Sequence, residues 1–158
     1  MKIFLKLDKL MGSSTDPGHV HWIELSSCSF LPGRRPPAEP SPPWKLKPRP
    51  QVELQCSKTF DSSSSALLKM MTDGSVITSG TVDFVDDHGV IRLRMSLSDV
   101  MLPSFSTRRG PSDSVMEIFG LLCVIESGEP ADPLTPGVNG LRQHVNNLWD
   151  LDDLGGSR

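Results

Sequence analysis

Tyrosine is absent from this sequence of 158 residues, and aromatic residues together make up 6% of it. The apolar fraction of 37% supports one domain with a modest core. The excess of one sign of charge is also small, since the formal net charge is −3. Phosphate binding needs a concentrated basic surface, so this balance gives no indication of a nucleic-acid partner.

Long hydrophobic runs are missing as well. No apolar run approaches the roughly 20 residues of a membrane-spanning helix. Near the start of the chain, Lys6, Asp8 and Lys9 interrupt the apolar stretch of about 7–15 residues that a signal peptide requires. We therefore expect synthesis in the cytoplasm, no membrane insertion, and any export by a route that reads no cleaved signal peptide.

Cysteine is limited to Cys28, Cys56 and Cys123. An odd number of widely spaced cysteines is a poor disulfide framework, and all three are interpreted as small core residues. The best enzymatic alternative pairs Cys28 with His19 or His21, but no local catalytic signature supports it. The sequence therefore predicts no catalytic residues, no cofactor and a protein that is not an enzyme.

A polar segment at residues 86–89, with the sequence DDHG, at first resembles a metal site. Contiguous residues do not easily converge on one ion, so the segment is interpreted as a hairpin turn without a metal. The turn joins two predicted strands, Val76–Asp86 and Val90–Leu97.

Alternation of apolar and polar residues predicts the remaining strands. They are Lys2–Leu7, His19–Phe30, Gln51–Lys58, Ser98–Thr107 and Ser114–Glu126. Asp61 and Ser62 are expected to cap a short helix that ends at Gly74, and residues 108–112 are expected to form a turn. These elements predict a mainly β fold, an antiparallel β-barrel or two packed sheets with one short flanking α-helix.

Proline is concentrated in one segment, because eight of the 14 prolines fall within residues 31–50. Proline supplies no backbone donor and fixes φ, so the segment is predicted to be an extended loop and not a paired strand. Its basic and aromatic side chains are candidates for contacts with a partner or between stacked copies. They are Arg34, Arg35, Trp44 and Lys45.

A C-terminal extension is expected over residues 128–158, after a barrel domain over residues 1–127. Asn139 is predicted to cap a short helix in this extension. The apolar side chains of that helix either dock in the groove of a partner or pack on the chain's own barrel. They are Leu141, Val145, Leu148 and Trp149.

Several predicted strands carry apolar residues on both faces. In Ser114–Glu126, Ile118 and Leu122 lie on one face, and Phe119 and Leu121 lie on the other. The second face of such a strand tends to be buried against another chain. The pattern therefore predicts self-association.

Four segments carry a resemblance to a known family. They are Phe4-Leu5-Lys6-Leu7 with Gly12-Ser13-Ser14-Thr15-Asp16 and His19; Ser27-Cys28-Ser29-Phe30 at the end of Ile23–Phe30; Asp61-Ser62-Ser63-Ser64-Ser65 with Leu67-Leu68; and Leu97-Ser98-Asp99-Val100. Their order and spacing over about residues 2–127 are similar to those of the Hcp (haemolysin-coregulated protein) family, the tube subunits of bacterial type VI secretion systems. Members commonly carry a Gly-rich loop where this chain has the Pro-rich one.

The resemblance implies a barrel with one flanking helix whose copies form six-membered rings. Such rings stack into a tube inside a contractile sheath, carry effectors and are expelled. The expected partners are therefore other copies of the chain and the sheath, spike and effector proteins. Polar side chains on the strands would line the lumen, and the candidates are Ser27, Ser29, Glu53 and Gln55. The alternative is a monomeric β-barrel adaptor that recruits an effector or spike protein through the Pro-rich loop and the C-terminal helix.

Overall fold

A computed structural model describes residues 1–31 and 51–129, which form seven strands, one α-helix and one 3-10 turn. The strands are β1 (Lys2–Leu7), β2 (Ile23–Leu25), β3 (Ser27–Leu31), β4 (Val52–Thr59), β5 (Ile77–Val85), β6 (Ile91–Arg109) and β7 (Val115–Glu129). The helix α1 spans Ser64–Asp73, and the 3-10 turn spans Pro111–Asp113. No helix in these two ranges is long and apolar enough to cross a lipid bilayer.

The strands pair antiparallel in the order β2-β1-β5-β6-β7-β4-β3. The two strands at the ends of this order, β2 and β3, are consecutive in the chain and separated by Ser26. The Ser26 amide donates to the Ser57 carbonyl of β4 at 2.7 Å, so the chain itself crosses from one end of the sheet to the other. The sheet is therefore a nearly closed barrel, which confirms the predicted fold class.

The longest strand, β6, contains the bend that the sequence predicts. Its pairing with β7 shifts register at three places between Ser96 and Ser104, and Asp99 has a left-handed φ of 49° in this region. Bulges of this kind bend and twist a strand, which lets one strand follow the curved wall of the barrel. The predicted strand Ser98–Thr107 is confirmed as the continuation of β6, whereas the turn expected at 108–112 begins only after Arg109.

The start of α1 differs from the prediction. Ser63 is the N-cap residue, and its side chain makes no capping hydrogen bond. Asp61 lies two residues before the N-cap, and its carboxylate accepts a hydrogen bond from the Ser63 amide at 2.8 Å. Ser62 is exposed. The end of the helix is as predicted, because Gly74 takes the left-handed conformation with a φ of 65°.

The core fills the barrel interior and the space under α1, which packs against β6. Its fully buried members include Leu5, Leu54, Leu67, Met95, Phe119 and Leu121. Cys56 and Cys123 are buried among them and Cys28 is half-buried at their edge, in agreement with the interpretation as small core residues.

The segment His19–Phe30, predicted as one strand, is divided into a turn followed by β2 and β3. His21 has a left-handed φ of 64°, which an extended strand does not accommodate. The turn folds back over β1, where the ring of His19 stacks on Phe4 with centroids 4.2 Å apart. The outer apolar face of β1 is therefore covered here by the chain itself and not by a second copy.

Candidate functional site

A polar surface covers the outer side of β3, β4, β7 and β6. Strand register brings hydroxyl and amide side chains next to one another across this part of the barrel. We call this surface the serine face, and its members are Ser27, Ser29, Gln55, Ser57, Ser104 and Ser106. It arises because side chains alternate along a strand, so the intervening residues point into the core.

A shallow depression lies at the β3–β4 side of the serine face. Its lining consists of Ser27, Ser29, Gln55, Cys56, Ser57, Arg108 and Ile118. The hydroxyls of Ser27 and Ser57 are 2.6 Å apart and hydrogen-bond across the two strands. The depression therefore offers hydroxyl, amide and guanidinium groups, which suit a polar peptide segment held by hydrogen bonds.

Gly120 of β7 lies in the middle of the serine face. A Cβ atom at this position would lie 2.8 Å from Glu53 Oε1 and 2.9 Å from Ser104 Oγ. The absence of a side chain thus lets the Glu53 carboxylate fold over the strand instead of projecting outward. Glu53 is half-buried as a result, and its charge is less exposed than the alternation of β4 alone suggests.

Three of the four lumen candidates line the depression, namely Ser27, Ser29 and Gln55. The fourth, Glu53, lies two residues before Gln55 on the same face of β4. Sequence reasoning missed Ser57, although it follows Gln55 in the same alternation. It also missed Ser104, Ser106 and Arg108. These residues lie near or beyond the register shifts of β6, and the apolar pattern does not locate such shifts.

The other candidate contact residues lie outside the described residues, and their roles remain predictions. They are Arg34, Arg35, Trp44 and Lys45 of the Pro-rich loop, and Leu141, Val145, Leu148 and Trp149 of the C-terminal extension. The domain boundary at residues 127/128 also stays a prediction.

Large apolar side chains remain exposed elsewhere on the barrel. Phe60 is 68% exposed and Val115 is 47% exposed, and the Phe60 amide donates to the Val115 carbonyl, so the two residues are adjacent. Met11 and Val20 are exposed in the loop between β1 and β2. Exposed apolar groups of this size are typical of surfaces that bind another protein.

A buried ion pair joins the barrel to the start of α1. Lys58 of β4 and Glu117 of β7 are directly opposite in the register, and both side chains are almost inaccessible. Lys58 Nζ lies 2.7 Å from Glu117 Oε2, 2.8 Å from Asp61 Oδ1 and 3.0 Å from Ser64 Oγ. Ser64 Oγ also donates to Glu117 at 3.0 Å. The network satisfies the ammonium group inside the protein, as a buried charge requires.

Asp61 gives this network a pH dependence. Burial raises the pKa of the Asp61 carboxyl, but hydrogen bonds from Lys58 and Ser63 outweigh burial, and the pKa lies below its ordinary value. A carboxyl whose pKa is lower in the folded state stabilises the fold above its unfolded pKa of about 3.9. That contribution is lost as the pH falls through the lower, folded pKa.

We expect the melting temperature to fall more steeply below about pH 4 in the wild-type chain than in Asp61→Asn, since the variant lacks the titrating carboxyl. Thermal melts followed by circular dichroism between pH 7 and pH 2.5 measure this difference. Asp73→Asn, at the exposed end of α1, controls for the loss of one negative charge. If the melting temperatures of the wild type and Asp61→Asn fell equally with decreasing pH, Asp61 would not be the source of the pH dependence.

A second buried network fastens the loop between β1 and β2 to the sheet. Asp83 is fully buried, and its carboxylate accepts hydrogen bonds from Arg94 at 2.6 and 2.7 Å. His19 Nε2 lies 2.8 Å from the same carboxylate, and Nδ1 lies 3.5 Å from Asp16. Because the Phe4 ring covers the imidazole, the histidine is a packed structural group here.

The sequence offered two chemical alternatives, a metal site at residues 86–89 and a pairing of Cys28 with a histidine. In both places the side chains have other partners. The Asp86 carboxylate accepts hydrogen bonds from the amides of His88 and Val90, which is the predicted hairpin turn. The sulfur of Cys28 contacts Cys56 and not a histidine. Within residues 1–31 and 51–129, no group of three or more His, Cys, Asp or Glu side chains is arranged so that it could hold a metal ion.

Comparison with known proteins identifies a family that matches this chain. A family model described as "Type VI secretion system effector, Hcp" matches residues 4–121. A comparison with curated proteins gave no match.

Solved structures with the same fold include three proteins named Hcp. Hcp2 from Salmonella typhimurium is 21% identical with a TM-score of 0.63, and the alignment covers 84% of this chain and 88% of that one. Hcp1 from Salmonella typhimurium is 19% identical with a TM-score of 0.63, over 82% and 93% of the two chains. The secreted protein Hcp3 from Pseudomonas aeruginosa is 14% identical with a TM-score of 0.52, over 82% and 88%. At these identities the structural likeness shows the fold.

Proposed function

The chain belongs to the Hcp family of type VI secretion proteins, and we propose that it is a tube subunit whose copies close into six-membered rings that stack and carry effectors. Proteins of this family are structural, and the chain is not an enzyme. The family belongs to a secretion system, and export of this chain without a cleaved signal peptide is part of the proposal. Effectors, spike and sheath proteins are the proposed partners.

The observation that carries the proposal is the contrast between two outer surfaces of one barrel. The serine face presents small polar groups, whereas Phe60 and Val115 present large apolar side chains to solvent. A ring uses two different patches of each subunit, because its interface is heterologous. Apolar residues that are exposed in the single subunit suit such an interface, and a polar surface suits the wall of a water-filled lumen.

We place the serine face on the lumen. Hydroxyl and amide groups form hydrogen bonds of modest net strength, about 0.5–1.5 kcal/mol each. A cargo that rests on such groups is held by several weak contacts and is easily released. The depression beside Ser29 and Arg108 gives this wall one place where a polar segment of a cargo protein can settle.

Negative-stain microscopy and light scattering of the purified chain test the proposal. We expect rings with a mass near six subunits, and class averages at higher resolution with β3 and β4 on the inner wall. A monomer at high protein concentration would overturn the tube assignment. If that monomer still bound an effector or spike protein, the adaptor function would replace it.

Phe60→Glu is expected to abolish ring formation and leave the subunit folded. The side chain is 68% exposed in the subunit, so the substitution should change the free energy of unfolding by no more than about 0.5 kcal/mol. In the ring, however, a charge would be buried without a partner, which is strongly unfavourable. Light scattering gives the mass, and circular dichroism gives the melting temperature.

Ser62→Glu is the matched control, because it adds the same charge at an exposed polar position two residues away. It should form rings as the wild type does. Intact rings in Phe60→Glu would place the interface elsewhere on the barrel.

A further inference from the structure

Two cysteines lie directly opposite each other on neighbouring strands. Cys28 of β3 and Cys56 of β4 are Cα partners in the antiparallel register. Cα atoms of such a pair are about 4.5 or 5.5 Å apart, and both distances lie within the range of about 4.4–6.8 Å that disulfides span. The sulfur atoms are already 3.8 Å apart, with the Cys56 thiol donating to Cys28.

We propose that Cys28 and Cys56 are a redox-responsive pair, which forms a cross-strand disulfide when the protein meets an oxidising low-molecular-weight disulfide. The bond would fasten β3, the last strand of the sheet, to β4. Side-chain rotation has to bring the sulfurs from 3.8 Å to about 2.05 Å, and the backbone register needs no change.

The two thiols differ in a way that suits this reaction. The hydrogen bond from Cys56 lowers the pKa of Cys28, although burial opposes this effect. The same hydrogen bond, together with burial, raises the pKa of Cys56. Cys28 is also the half-buried member of the pair, whereas Cys56 is fully buried. Cys28 is therefore the thiol that attacks, because the thiolate is the nucleophile and needs access to the oxidant.

The exchange balances with glutathione disulfide as the oxidant. The Cys28 thiolate attacks one sulfur of glutathione disulfide, a mixed disulfide forms, and one glutathione thiolate leaves. The Cys56 thiol then loses its proton and attacks the Cys28 sulfur, which releases the second glutathione. The two protein thiols are oxidised, and one glutathione disulfide is reduced to two glutathione molecules.

Cys123 is not expected to take part. It lies four positions along β7 from Phe119, the residue opposite Cys56, which corresponds to roughly 13 Å of extended strand. Burial raises its pKa to about 12, so Cys123 is not the thiol that starts the exchange. This cysteine therefore provides a matched control within the same core.

The disulfide would strengthen the fold where the barrel closes. The two cysteines are 28 positions apart in sequence, and a cross-link over such a loop removes conformational freedom from the unfolded chain. If the chain is exported as a tube subunit, which rests on the proposed function, the bond would form on leaving the reducing cytoplasm. The chemistry of the pair itself does not depend on that function.

The test compares the reduced full-length chain with the same chain incubated in glutathione disulfide. After trapping of free thiols with N-ethylmaleimide, peptide mapping by mass spectrometry should find a Cys28–Cys56 linked peptide and an alkylated Cys123. The melting temperature should rise by roughly 5–15 °C on oxidation. The rise should be absent in Cys28→Ala and retained in Cys123→Ala.

Peptide mapping of the wild type decides the question even if a cysteine variant fails to fold. Alkylation of both Cys28 and Cys56 after oxidation, glutathione retained on Cys28, or a bond to Cys123 would each overturn the proposal. Ring formation is observed separately by microscopy, so a failure of the disulfide and a failure of the tube assignment give different results.

Discussion

Lys58→Ala is expected to lower the free energy of unfolding by about 3–5 kcal/mol, because it breaks a buried ion pair by removing one partner. Glu117 is 1% exposed and loses the ammonium that lies 2.7 Å away. Asp61 loses the same ammonium at 2.8 Å, and the start of α1 loses its connection to β4. Urea unfolding followed by circular dichroism measures the loss.

Two variants make this expectation specific to the ion pair. Lys69→Ala removes an exposed lysine of α1 and should change stability by no more than about 0.5 kcal/mol. Lys58→Met combined with Glu117→Leu replaces both charges by apolar side chains and should recover most of the loss, since such replacements are often neutral. If Lys58→Ala lost less than about 1 kcal/mol, water or another cation would have to satisfy Glu117.

The ion pair of Lys58 could have been predicted in part from the sequence. The alternation that places Val52, Leu54 and Cys56 on the core side also places Lys58 there, and all four are buried. A lysine on the core side of a strand requires a buried acid, because an isolated charge is too costly. The requirement predicts a carboxylate on a neighbouring strand, although the sequence does not say which one, since register is set by the whole sheet.

The barrel class was predictable because strand signals are local. Period-two alternation located β1, β4 and β7 to within a few residues, and the DDHG segment located the hairpin between β5 and β6. The bulges of β6 were not predictable, since each depends on the curvature that barrel closure imposes. The sequence therefore named Ser27 and Ser29 of β3 and Gln55 of β4 as lumen candidates, but not Ser57 of β4 or the polar residues of β6.

The turn at residues 19–22 shows where alternation misleads. Val20 and Trp22 follow the same pattern as Ile23 and Leu25, yet the first two lie in or beside a turn and the last two in β2. The contact that decides the matter is His19 with the buried Asp83, 64 positions away in sequence. Tertiary contacts of this kind override local preference, and a single sequence does not show them.

That turn also gives the second large effect, because Gly12→Ala is expected to destabilise the fold by about 2–4 kcal/mol. A Cβ atom at residue 12 would press against the Trp22 carbonyl and lie 2.6 Å from the Cα of Ile23. These are backbone atoms and cannot rotate away, so the two segments have to separate. Separation breaks the 2.8 Å hydrogen bond from the Gly12 amide to the His21 carbonyl.

The loss extends beyond that hydrogen bond, since the displaced turn carries His19, which covers Phe4 and contacts Asp83. Gly18→Ala is the matched control in the same loop, because its Cβ would meet only Asp16 Oδ1 at an ordinary 3.7 Å. Urea unfolding should place the control within about 0.5 kcal/mol of the wild type. Equal stability of the two variants would mean that the loop moves away from β1 without cost, and that the barrel does not depend on this cover.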